Sequence, residues 1–170
     1  MKSGFGRARA RPTAAPRERS DGPTPGFRIA GVQMASGPDL PANLIEAKRL
    51  IEIAVEQGAS LVALPEYFAI MGLKDTDKVD AREREGHGQI QSFLSDTARR
   101  HRIWLIGCSI PLDSGVAGKV YNSMLVYDDG GRQVARYDKI HLFSLNLGAE
   151  QFSEERTIEP GREVKTVDTP

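Results

Sequence analysis

From Phe27 onward the chain alternates short apolar runs with segments in which apolar residues recur every three or four positions. The first run, Phe27 to Met34, predicts a strand closed by the loop Ala35-Ser36-Gly37-Pro38. Asp39 then offers an N-cap carboxylate, and Pro41 supplies a pre-set φ near the first helical position. Leu44, Ala47, Leu50, Ile51, Ala54 and Val55 fall on one face of a helix running to Glu56, with Gly58 as its stop. The unbroken run Leu61-Val62-Ala63-Leu64 reads as a strand covered on both faces. Strand, helix and strand in that order imply a parallel pair joined by a right-handed crossover.

The pattern repeats after a polar interruption. Lys74 to Glu85 is dense in charge and poor in apolar residues, which predicts an exposed loop or a short surface helix. Gln89 to His101 places Ile90, Phe93, Leu94, Thr97 and Ala98 on one helical face, and Trp104 to Ile110 is the next buried strand. A turn-rich loop, Asp113 to Gly118, leads into a hairpin: Tyr121 to Tyr127, the turn Asp128-Asp129-Gly130-Gly131, and Gln133 to Asp138. Strand-helix units followed by an antiparallel hairpin predict an α/β layered domain with a mixed sheet.

Composition narrows the class. At 170 residues, with 39% hydrophobic and 27% charged, the chain has the size and make-up of one soluble globular domain. Its formal net charge is zero, which removes a global electrostatic argument for nucleic acid or an anionic membrane as partner. The zero conceals an asymmetry. Residues 1–26 carry Lys2, Arg7, Arg9, Arg11, Arg17 and Arg19 against Glu18 and Asp21, a sum of +4, so the rest sums to −4. That opening is rich in Pro, Gly, Ala and Ser and too poor in apolar residues to offset the entropy of ordering; a disordered basic tail is expected. It lacks the apolar core of a secretory signal, and no apolar run approaches the ~20 residues of a bilayer span. The single cysteine, Cys108, permits no internal disulfide, so a cytoplasmic setting is expected.

Two charged residues stand where apolar runs end. Glu66 follows Leu61 to Leu64 behind Pro65, and in α/β sheets ligands bind beyond the carboxyl ends of strands. Burial there would disfavour its charged form and fit it to act as a general base. Lys139 ends the second hairpin strand ahead of Ile140-His141-Leu142-Phe143, and a partly desolvated ammonium can stabilise an oxyanion. Each residue also has an ordinary reading, as a surface glutamate after a strand and as a strand-end lysine beside Asp138. Cys108 lies in Trp104-Leu105-Ile106-Gly107-Cys108 and reads as buried core, where a thiol behaves as a small hydrophobe and not as a thiolate. His87, His101 and His141 share no ligand spacing with one another or with Cys108, so their spacing suggests no metal site.

Taken in series, Val32-Gln33-Met34, Leu64-Pro65-Glu66-Tyr67-Phe68, Tyr121-Asn122-Ser123, Tyr137-Asp138-Lys139-Ile140-His141-Leu142-Phe143 and Glu159-Pro160-Gly161 resemble the nitrilase superfamily of carbon-nitrogen hydrolases. The resemblance runs from about Arg28 to the C-terminus. It implies the N-terminal part of a four-layer α-β-β-α sandwich and a Glu-Lys-Cys site with Glu66 as general base and Lys139 as oxyanion holder. A further family glutamate, in a Phe-x-Glu segment, falls on Glu154 in Phe152-Ser153-Glu154, with Glu150 and Glu155 as rivals. The family nucleophile belongs to a segment of the type Gly-x-x-Ile-Cys-Tyr-Asp downstream of the Pro-Gly motif. Residues 27–170 are therefore expected to form a portion of the domain that stops before the nucleophile and is inactive alone.

Pro65-Glu66-Tyr67-Phe68 with Met71-Gly72 looks like the amidase branch that includes omega-amidases and deaminated glutathione amidases. A small linear amide is the expected substrate, with no cofactor, no nucleic-acid partner and no membrane partner, and the full-length form is expected to be a homo-oligomer, a dimer. The alternative is a non-catalytic truncated fragment, or a binding or interaction module on the same scaffold.

Overall fold

The computed structural model describes residues 26–148 and 150–169. The basic stretch read as a disordered tail lies outside the described residues, apart from Gly26. A five-stranded mixed sheet has the order β1 (Ile29–Gly31), β2 (Leu61–Ala63), β3 (Trp104–Asp113), β4 (Val120–Tyr127) and β5 (Gln133–Asp138). β1 pairs with β2, and β2 with β3, in parallel; β3/β4 and β4/β5 are antiparallel. The mixed α/β sheet expected from the sequence is the one observed.

Helix α1 (Leu40–Glu56) starts where its capping chemistry places it: the Asp39 carboxylate accepts the Ala42 N–H at 3.0 Å, with Pro41 in the first turn. It ends at Gly58, whose φ of +85° is a left-handed stop. Helix α3 (Gln89–His101) has the bounds that its apolar period predicts. Ala47, Ile51 and Ala54 of α1 and Ile90, Leu94 and Ala98 of α3 pack with Val62, Leu105 and Leu125 of the sheet in one core. Leu94 fits because Gly107 lies beneath it; a Cβ on Gly107 would sit 2.4 Å from the leucine methyl. Truncating Leu94 to alanine should cost about 2–5 kcal/mol. The helices cover one sheet face, so they and the sheet supply two adjacent layers of an α-β-β-α arrangement. On the other face Trp104, Ile106, Cys108 and Met124 are half-buried among the described residues.

Three features depart from expectation. β1 is shorter than Phe27 to Met34, as suits an edge strand: Phe27 and Ile29 are exposed. β3 continues past Ile110 through Pro111, which pairs with Asn122 while its carbonyl accepts the Glu83 N–H. The charged segment from Lys74 to Glu85 does contain a short surface helix, α2 (Asp77–Asp80), yet Glu83 is buried. Its carboxylate accepts the N–H groups of Ile90 and Gln91, at 2.6 and 3.1 Å, in the first turn of α3. These are orphan donors that a helix start must satisfy. Beyond β5 the chain forms a hairpin, β6 (Ser144–Leu147) and β7 (Glu150–Ser153), and one 3-10 turn, Glu154–Arg156. Among the described residues no helix is long and apolar enough to cross a membrane.

Candidate active site

Glu66 leaves β2 by way of Pro65 and a tight turn in which Phe68 N–H bonds to the Pro65 carbonyl. Tyr67 takes a φ of 57°, uncommon for a residue with a side chain. The turn is anchored from behind. Ser36 Oγ donates to the Phe68 carbonyl at 2.9 Å, and the buried Asn43 Nδ2 of α1 donates to the carbonyls of Gly37 and Ala69. The loop after β1 and the loop after β2 are thereby tied together beneath Glu66.

Lys139 is clamped through its backbone. Its N–H donates to the Asn122 carbonyl of β4, and its carbonyl accepts the Gly161 N–H, each at 2.9 Å. The Pro-Gly motif has its physical reason here, because a Cβ on Gly161 would lie 2.2 Å from the Asp138 carbonyl oxygen. Glu154 opens the turn after β7. Its backbone N–H donates to the Phe143 carbonyl at 3.0 Å, and its carboxylate accepts the Phe143 N–H at 2.8 Å. The β6/β7 hairpin is thus the device that carries Glu154 back to the end of β5.

The structure brings Glu66, Lys139 and Glu154 to one place. Lys139 Nζ lies 3.0 Å from Glu66 Oε1 and 3.0 Å from Glu154 Oε2. Tyr67 and Asn122 complete the cluster. Tyr67 donates its hydroxyl to Glu154 Oε1 at 3.1 Å, and Asn122 Nδ2 donates to Glu66 Oε1 at 2.7 Å and to the Tyr67 hydroxyl at 3.3 Å. Both were visible only as letters of a motif, since nothing in their spacing marks a polar residue of a strand or turn as a site partner. Of the rivals to Glu154, Glu155 is exposed.

Burial separates the two carboxylates. Glu154 has a side chain only 6% exposed, whereas Glu66 is 50% exposed, so the burial expected of Glu66 does not hold. Glu66 faces the open side. Burial alone would raise the Glu154 carboxyl, but the Phe143 N–H, the Lys139 ammonium and the Tyr67 hydroxyl together hold it below the usual carboxylate range. Burial alone would lower Lys139, but hydrogen bonds to Glu154 and Glu66 and their charges hold it above the ordinary lysine value. Burial and the nearby carboxylates push the Tyr67 phenol well up, so it stays a neutral donor. An ammonium has three donor hydrogens. Three carboxylate oxygens lie around Nζ: Glu66 Oε1 at 3.0 Å, Glu154 Oε2 at 3.0 Å and Glu154 Oε1 at 3.1 Å.

Cys108 corrects a second expectation. It is half-buried, not sealed in the core, and Glu66 is close enough for its charge to act on the thiol. Burial first, and that charge second, push the thiol up to about 11, so it is the neutral thiol at pH 7. No group of three or more metal-ligating side chains occurs among the described residues.

A cavity of about 210 Å³ adjoins the cluster, walled by Tyr67, Ile70, Met71, Lys78, Phe152 and Glu154 among others. Lys78 Nζ stands 5.6 Å from the Tyr67 ring centre, within cation-π range. A larger groove, about 620 Å³, runs along β5 past Arg136 and Arg162 and includes none of Glu66, Lys139 and Glu154. The smaller one includes Glu154, but neither Glu66 nor Lys139.

The family model described as Carbon-nitrogen hydrolase matches residues 28–170. A deaminated glutathione amidase of Synechocystis sp. is 38% identical over 122 residues, which is 71% of this chain and 44% of that protein. An omega-amidase of Mus musculus is 37% identical over 145 residues, 85% of this chain and 51% of that protein. The crystal structure of the C. elegans NitFhit protein superposes with a TM-score of 0.70 at 33% identity, covering 79% of this chain and 33% of that one. The chain spans about half the length of the curated relatives it matches.

Proposed function

The chain belongs to the carbon-nitrogen hydrolase family of the nitrilase superfamily, and from that premise we propose that it carries the base and the oxyanion holder of a cysteine-dependent amidase. The observation that carries this reading is the Lys139 ammonium held 3.0 Å from both Glu66 and Glu154. Glu66, on the open side, is the general base. Lys139 is the oxyanion holder, and Glu154, buried and ionised, keeps that lysine charged and aimed.

In the proposed reaction Glu66 takes the proton of a cysteine thiol while the sulfur's electron pair adds to the amide carbon. The carbonyl π pair moves to oxygen, and the oxyanion forms against Lys139. Collapse breaks the C–N bond, and Glu66 returns the proton to the departing nitrogen. Water, deprotonated by the same carboxylate, then cleaves the thioester to the acid. Such a base is worth about 10²–10⁴ in rate.

Cys108 is not the proposed nucleophile. Its thiol sits at about 11, and it stands on β3, upstream of Lys139, not in the segment where the family resemblance puts the reacting cysteine. A Gly-x-x-Ile-Cys-Tyr-Asp-like segment outside residues 1–170 is proposed to supply it. The substrate class is a small linear amide, a reading supported by the Pro65–Phe68 motif and by relatives named as amidases. Ammonia release from small amides tests the proposal. The whole protein should release it, Lys139→Ala should not, and residues 1–170 alone should be inert; turnover by residues 1–170 alone, or undiminished turnover in Lys139→Ala, would overturn it.

A further inference from the structure

Asn122 has no assigned part in this chemistry, yet it is the residue through which the cluster is wired. It is 4% exposed, on a strand between two others. Its backbone carbonyl holds the Lys139 N–H at 2.9 Å. Its carboxamide nitrogen reaches Glu66 Oε1 at 2.7 Å and the Tyr67 hydroxyl at 3.3 Å. One residue therefore sets the separation between the proposed base and the proposed oxyanion holder.

The other end of the same amide makes the case sharper. Asn122 Oδ1 is buried and has no hydrogen-bond partner among the described residues. Leaving such an acceptor unmet costs about 1–3 kcal/mol. Turning the amide over would not help, because Oδ1 would then face the Glu66 carboxylate, oxygen against oxygen, at the present 2.7 Å. The side chain keeps an orphan acceptor in order to hold its donor on Glu66, and an unsatisfied buried group of that kind points to a role other than packing.

Glu66 Oε1 already receives two donors, Asn122 Nδ2 at 2.7 Å and Lys139 Nζ at 3.0 Å. Oε2 receives none among the described residues, and the side chain is half-exposed. A proton arriving at Oε1 would meet two hydrogens aimed at it; one arriving at Oε2 would not. We propose that Asn122 is the positioning residue of the site, fixing Oε1 of Glu66 beside Lys139 so that Oε2 is the oxygen that takes the nucleophile's proton and returns it to the leaving nitrogen. This rests on the reading of Glu66 as the base. Atoms balance: the proton moves from sulfur to Oε2 and then to nitrogen, while Oε1 keeps both donors throughout.

The test has two arms. In proton-nitrogen spectra of the whole protein, the Asn122 side-chain amide should carry the shift of a donor to a carboxylate and should lose it in Glu66→Gln. An amide indifferent to Glu66 overturns the proposal without any change at Asn122. In the whole enzyme, Asn122→Asp, which keeps size and shape but presents an acceptor, and Asn122→Ser should each lower kcat about a hundredfold, the cost of a misplaced catalytic group. KM should stay within about twofold, the mark of an interaction used in the transition state. If Glu66→Gln abolishes turnover while both Asn122 variants keep the normal kcat, the positioning role fails and the base survives. If Glu66→Gln keeps turnover, the base fails and the assignment of Oε2 falls with it.

Discussion

Removing Lys139 should expose how much the buried half of the site depends on its charge. Glu154 is 6% exposed and has three sources of donors: the Phe143 N–H at 2.8 Å, the Tyr67 hydroxyl at 3.1 Å and the Lys139 ammonium at 3.0 Å. Breaking a fully buried ion pair costs about 3–5 kcal/mol, and losing one hydrogen bond to a charge about 1.5–3 kcal/mol. Two neutral donors remain on Glu154 after Lys139→Ala, and Lys139 is itself 25% exposed, so the lower range applies. The expected loss is about 2 kcal/mol, or about 4–8 °C in Tm for a chain of this size. A double-mutant cycle of Lys139→Ala with Glu154→Gln, read by urea unfolding, isolates the pair and should return a coupling of about 2 kcal/mol at pH 7.

The pH dependence of that coupling has a definite sign. Glu154 is held below the ordinary carboxylate range, so its contribution is complete above the unfolded value of about 4.3 and disappears as pH falls through the folded one. Lys139 is held above its ordinary value, so its contribution is complete below about 10.4 and disappears as pH rises through the folded one. The coupling should be level from about pH 5 to 10 and fall on either side. A coupling under about 0.5 kcal/mol at pH 7, within the scatter of independent sites, or one unchanged at pH 3, would mean that Lys139 and Glu154 do not act as a charged pair.

Two further perturbations follow from the geometry. Cys108 should alkylate slowly at pH 7 and about tenfold faster per pH unit up to its value of about 11, and Cys108→Ala should leave amide turnover by the whole protein intact; rapid labelling at neutral pH would mean a thiolate has been missed. Gly161→Ala forces a methyl to within 2.2 Å of the Asp138 carbonyl oxygen, which should cost about 1–3 kcal/mol and displace Lys139; unchanged stability by thermal unfolding would show that the segment yields freely.

The sequence was most legible where local physics decides alone. Apolar period marks α3 at Gln89–His101, capping starts α1 behind Asp39, and the Asp/Gly turn fixes the hairpin from β4 to β5. Glu66 and Lys139 stood out because each ends an apolar run. Other parts depend on partners distant in sequence. Glu83 reads as one more exposed charge until α3 supplies the N–H groups that it caps. Pro111 reads as a strand end until β4 pairs across from it. The β6/β7 hairpin leaves Leu145 and Phe152 exposed, so no alternation of buried and open positions announces it. Asn122 and Tyr67 are ordinary polar residues locally. Their significance comes from the crossing of β4 with the turn after β2, which only the assembled sheet creates.

Glu66 is proposed to take the nucleophile's proton. Single-turnover hydrolysis of a small amide by the whole enzyme, comparing the unsubstituted protein with Glu66→Gln, tests it most directly, because the substitution keeps the shape of the side chain and removes only its basicity. A fall of about 10²–10⁴ in the chemical step, with substrate binding retained, is the predicted result. A Glu66→Gln rate within a few-fold of normal would mean that Glu66 is not the base.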